Sequence, residues 1–177
     1  DYAYVADWDW GLLVVDISNP ESPFFLRQVD TPGRAAFVTV SGDLAFVADR
    51  ENGLQIIDIS VPASSEIVGA VDTPDWATGV AISGNHALVA DGLAGLQVID
   101  VSDPGNAAIV GAVDTPGWSV GVTISGDYAY LADQESGLQV IDGSDPASPS
   151  IQGTVDTPGD AYAGAVAGPR GEGGGGG

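Results

Sequence analysis

The stretch that decides the fold is Gly137-Leu138-Gln139-Val140-Ile141-Asp142. Residues 95–100 repeat it letter for letter, and residues 53–58 differ only at Ile56. The same pattern extends outward. An Ala-Asp pair precedes each copy, with Asp at 7, 49, 91 and 133, and the copies open on Gly at 11, 53, 95 and 137. They close on Asp16, Asp58, Asp100 and Asp142, and an Asp-Thr-Pro triplet follows at Asp30, Asp72, Asp114 and Asp156. Every interval is 42 residues. Self-similarity at one fixed period of this size marks a repeat architecture. Four units occupy residues 1–42, 43–84, 85–126 and 127–168, and the Gly-rich residues 169–177 remain as a flexible tail or linker.

Each unit reads as four short strands. In residues 77–118 they are 77–82, 86–90, 96–101 and 108–113. Val, Ile and Ala fill the strands, and Ser83-Gly84-Asn85 and Ser102-Asp103-Pro104-Gly105 fill the breaks. A period of about 40–45 residues carrying four strands is a propeller blade. The strands are apolar on both faces, as in Ala45-Phe46-Val47, which suits a sheet packed between two others. The expected fold is therefore all-β: a β-propeller of four blades, each a four-stranded antiparallel sheet. The chain starts within the second strand of a unit and ends after a first strand. If the ring closes on itself, residues 161–166 complete the first blade; otherwise the four blades are half of a larger ring.

Together with the tracts Tyr-Ala-Tyr-Leu-Ala-Asp (128–133) and Asp-Thr-Pro-Gly (114–117 and 156–159), these motifs resemble the LVIVD repeat over residues 1–168. The resemblance implies a propeller of the kind found in bacterial and archaeal cell-surface and secreted proteins. It brings no catalytic residues. The chain departs from the pattern at Gly143 and after Ala163.

Composition narrows the function. There are 25 acidic residues against 4 basic ones, a net charge of −21, a single histidine and no cysteine. Nucleic acid is excluded as a partner, because binding phosphates needs basic side chains. No apolar run approaches the ~20 residues of a helical membrane span, and no membrane insertion is expected. The missing cysteines rule out disulfides and thiolate metal sites. A chain that begins at Asp1 and holds no Met reads as processed or partial.

Two groups of candidate residues emerge. The loops carrying Asp7/Asp9, Asp49/Glu51 and Asp133/Glu135 place two carboxylates two residues apart before a Gly, the start of a calcium loop, so Ca²⁺ is a candidate ligand though no cofactor is required. The structural reading is that each first Asp caps its own turn. Asp16, Asp58, Asp100 and Asp142 are expected to satisfy the turns that follow them, and Asp30 and its equivalents the Thr-Pro corners. The second group comes from variation between repeats. One position after the corner holds Arg34, Trp76, Trp118 and Asp160, near the mouth of the central channel. With Trp8 and Trp10, this position offers rings for stacking on a sugar or on a partner's side chain.

Enzyme chemistry has little to stand on. His86 replaces Tyr or Leu of the other units, which marks it as a packing residue. Gly171–Gly176 matches Gly-x-Gly-x-x-Gly only as low-complexity sequence. The expected function is a non-catalytic, secreted or cell-surface scaffold that binds an extracellular protein, a carbohydrate or copies of itself. The alternatives are a subunit that self-assembles by strand exchange and, further off, a carboxylate-based hydrolase.

Overall fold

A computed structural model describes residues 1–167. The tail at 169–177, with its Gly-x-Gly-x-x-Gly match, lies outside the described residues. The first blade is a three-stranded sheet of β1 (Tyr2–Ala6), β2 (Leu12–Asp16) and β3 (Phe24–Val29). The second contains β4 (Phe37–Ser41), β5 (Leu44–Ala48), β6 (Leu54–Asp58) and β7 (Glu66–Val71). The third contains β8 (Ala77–Ser83), β9 (His86–Asp91), β10 (Leu96–Asp100) and β11 (Ala108–Val113). The fourth contains β12 (Gly121–Ser125), β13 (Tyr128–Ala132), β14 (Leu138–Asp142) and β15 (Ser150–Val155). Each sheet is an antiparallel meander, and the fold is the all-β propeller arrangement expected from the repeats.

Local chemistry explains the units. Gly42, Gly84 and Gly126 sit first in the tight hairpins joining the two inner strands, at φ of 58°, 55° and 59°. The register between the third and fourth strands slips by one residue at the same place in every unit, for instance between Ile56 and Ile57. Such a bulge increases local twist.

The core is three separate clusters, one between each pair of consecutive blades. Alternate residues of a strand serve alternate neighbours. On β9, Ala87 and Val89 pack with Phe46, Leu54 and Ile56 of the second blade. Leu88 and Ala90 pack with Ala129, Leu131 and Ile141 of the fourth. This accounts for the two-sided apolar strands, and each fully buried Leu or Ile contributes about 1.5–3 kcal/mol.

The ring does not close within these residues. β1 pairs only with β2, and residues 162–167 run exposed and without strand structure. The closing strand at 161–166 is thus absent. A strand needs a partner to satisfy its backbone, and the edge it would complete, β1, belongs to the opposite end of the chain.

Candidate functional site

At one face of the array the loops after β1, β5, β9 and β13 meet the corners that lead into the inner strands. Backbone bridges join them across blades: Trp8 with Ala35, Arg50 with Ala77 and Gln134 with Ala161 exchange two hydrogen bonds each, and the Ser119 amide donates to the Gly92 carbonyl. The turn holds its second residue in the left-handed region, at φ of 48° for Trp8, 45° for Arg50, 39° for Gln134 and 53° for Gly92. This conformation costs a non-glycine residue roughly 1–2 kcal/mol.

The aspartates beside these bridges do not cap their own turns, which backbone bonds such as Asn52 N–H to the Asp49 carbonyl already close. Asp49, Asp91 and Asp133 reach back to the Thr-Pro corner instead. Asp49 is fully buried and accepts from the Thr31 hydroxyl at 2.6 Å and the Gly33 amide at 2.8 Å. Asp91 accepts from Thr73 at 2.6 Å and the Asp75 amide at 3.2 Å. Asp133 accepts from Thr115 at 2.7 Å, Gly117 at 2.9 Å and Ser119 at 2.9 Å. Burial pushes the Asp49 and Asp91 carboxyls above the ordinary range, against the pull of these bonds.

The corner aspartates 30, 72, 114 and 156 are exposed, and no side-chain hydrogen bond is found for them among the described residues, contrary to the role expected at the corner. Asp16, Asp58, Asp100 and Asp142 do satisfy the next turn, each accepting from the amide of the Ser two residues on. Those bonds hold their carboxyls low.

The carboxylate pairs are split by this arrangement. Asp49 and Asp133 point inward with their oxygens taken, while Glu51 and Glu135 stay at the surface. Asp7 is exposed, and Asp9 shares Arg34 with Glu51 at 3.2 and 3.0 Å. A calcium ion on Asp49 or Asp133 has to displace the threonine and amide donors. Among the described residues no three His, Asp or Glu side chains gather tightly enough to hold a metal ion.

The aromatic candidates do come together. The Arg50 guanidinium lies 4.5 Å from the Trp8 ring centre and 4.6 Å from that of Trp76, sandwiched between two indoles. Trp76 meets Trp118 edge to face, with centres 5.8 Å apart and planes at 86°. The Arg34 guanidinium also lies over the Trp8 ring, 5.9 Å from its centre. Trp118 is admitted by a missing side chain: a Cβ on Gly92 would stand 3.1 Å from its ring and 2.6 Å from Asp75. A ladder Trp8–Arg50–Trp76–Trp118 therefore crosses all four blades. Trp10 lies outside it and is 62% exposed.

Sequence reasoning missed Arg50 as the centre of the ladder. Its signal was present, since it occupies the repeat position of Trp8. The Arg50 Nε is buried without a hydrogen-bond partner. His86 starts β9 opposite Asp100, at the strand end away from this ladder.

Blades stacked side by side through apolar seams, with loops and corners meeting on one face, define a β-propeller array. The chain belongs to the LVIVD-repeat family, whose repeat matches residues 1–31, 32–73, 76–115 and 116–157. It is also similar in fold to the crystal structure of the computationally designed Ika8 protein, with a TM-score of 0.69 at 12% identity, over 94% of this chain and 49% of that one. The chain thus spans about half the length of that protein. No curated protein sequence matches it.

Proposed function

We propose that this propeller is a non-catalytic binding scaffold, displayed on or secreted from the cell, and that the Trp8–Arg50–Trp76–Trp118 ladder is its ligand face. The observation that carries the reading is the sandwiched Arg50. It locks two indoles in place while Trp8 stays 44% and Trp76 36% exposed. Rings fixed by cation–π contacts lose little entropy on binding. The net charge of −21 disfavours anionic ligands, so the fitting class is a neutral oligosaccharide stacked on the indoles. The acidity suits a salty medium outside the cell, where the charge is screened.

The test is titration with neutral oligosaccharides, read by tryptophan fluorescence and calorimetry. A bound sugar is expected to lose about 10-fold in affinity in Trp76→Ala and Trp118→Ala. Failure of all neutral sugars to bind, or equal binding by both variants, removes the reading.

A further inference from the structure

We propose that a notch beside Gly143, in the seam between the third and fourth blades, binds a small primary amine carrying a branched aliphatic tail. The notch lies inside a complete junction, at the hairpin end of the strands and away from the tryptophan ladder.

The three seams can be compared position by position. Just after the third strand of a blade, Ile59 packs back against the first blade and Val101 against the second, each only 6% exposed. Gly143 holds the same position in the fourth blade. The backbone there does not change. The Ile59, Val101 and Gly143 amides donate to the Asp43, Asn85 and Asp127 carbonyls at 2.9, 2.8 and 2.8 Å. Only the side chain is missing, and an added Cβ would meet its nearest atom at 3.5 Å.

The facing blade loses its apolar partner as well. Leu44 packs against the cluster that contains Val101. Its equivalent in the third blade is His86, which lies two residues before Leu88 and so on the same face, toward the fourth blade. A Leu–Val contact in one seam is thus a His–Gly pair in the next.

The result is a half-open pocket of about 210 Å³. Leu88, Ile124 and Ala129 give it an apolar side, and Ser83, Asp127 and Ser144 a polar one. The other seams show what this volume accepts: a valine or isoleucine side chain, held out of water. Sites for drug-sized ligands measure about 300–1,000 Å³, so the occupant here is close to one side chain in size. Charge selects its head group. Asp127 is exposed, and no side-chain hydrogen bond or ion pair is found for it among the described residues. No arginine lines the pocket, and the chain carries a net charge of −21. A cationic ammonium meets that carboxylate while the tail takes the place of the missing valine.

The experiment is a titration with isopentylamine in low salt at about pH 8, where the amine stays charged, read by methyl NMR. Shifts are expected at Leu88, Ile124 and Ala129, with a Kd of about 1–10 mM. Ethylamine has the head without the tail and measures general attraction to the acidic chain; it is expected to bind about 10-fold more weakly. Isopentanol has the tail without the charge and is expected to bind about 3-fold more weakly, as is isopentylamine to Asp127→Asn. Gly143→Val fills the notch from within and is expected to keep the fold while weakening isopentylamine at least about 10-fold. Absent shifts at these methyls, or binding that Gly143→Val leaves intact, overturns the site. Equal binding of isopentanol and isopentylamine overturns the choice of an amine, and equal binding of ethylamine overturns the choice of tail. The ladder takes no part in these readouts, so the outcome is independent of the oligosaccharide reading.

Discussion

The inner blades and the end blades are written in nearly the same residues yet are buried very differently. Val47, Val89 and Leu131, at one repeat position, are fully buried, while the equivalent Val5 of the first blade is 44% exposed. Val29 is 6% exposed and its equivalent Val155 is 58% exposed. The difference lies in the neighbour and not in the residue. A blade buries its two apolar faces only against other blades, so stability is a sum of junctions, as in other repeat proteins.

The glycines of the outer strands give the sharpest way to break this comparison. Gly69→Ala forces a methyl group against the Pro104 carbonyl and is expected to cost about 3 kcal/mol in urea unfolding. Gly153→Ala, at the same repeat position, meets nothing within 4 Å and is expected to change the dilute chain by less than about 0.5 kcal/mol. Equal effects would mean that the junction is not the unit of stability.

The buried aspartates come next. Asp49→Ala strands the Thr31 hydroxyl and the Gly33 amide, at an expected cost of about 2 kcal/mol. Asp7→Ala, exposed in the single chain, is expected to change its unfolding by less than about 0.5 kcal/mol. The smaller effect of Gly143→Val should have the opposite sign. Ile59 and Val101 fill this position in the inner blades, and Gly143 lines a half-open pocket of about 210 Å³ together with Leu88, Ile124 and Ala129. The nearest atom to an added Cβ is 3.5 Å away, so valine is expected to add about 1 kcal/mol.

Acidity sharpens the contrast between the two kinds of aspartate. Asp49 and Asp91 have carboxyls raised by burial, so their ionisation opposes folding: stability rises as pH falls through their raised values. Asp16, Asp58, Asp100 and Asp142 have carboxyls lowered by hydrogen bonds, so their contribution is present at higher pH and is lost as pH falls through their depressed values. The melting temperature is therefore expected to peak at about pH 4–5, near the ordinary carboxylate range, and to drop below it. At neutral pH, CaCl₂ and NaCl of equal ionic strength are expected to raise it equally, by screening. A rise with calcium alone would assign the ion to the Asp7, Asp49 and Asp133 loops.

Much of the fold was legible because one 42-residue period carries strand, hairpin and corner chemistry together. The turn caps at Asp16 and its equivalents were legible because donor and acceptor lie two residues apart. The Asp49 latch was not, since its partners lie 16 and 18 residues upstream and become neighbours only when the corner folds over the loop. The Trp positions stood out by varying where the rest of the repeat does not. Arg50 was hidden because its partners come from the blades on either side. Closure stayed open between a four-blade ring and part of a larger one, because strand-forming residues at 161–166 say nothing of whether β1 is within reach.

The most direct test is residue-resolved hydrogen exchange of the chain in dilute solution. The account predicts that β5 and β9, which pair on both sides and pack between two blades, stay protected. Amides of β1, which pairs only with β2, should exchange much faster. Equal protection of all four blades would contradict it.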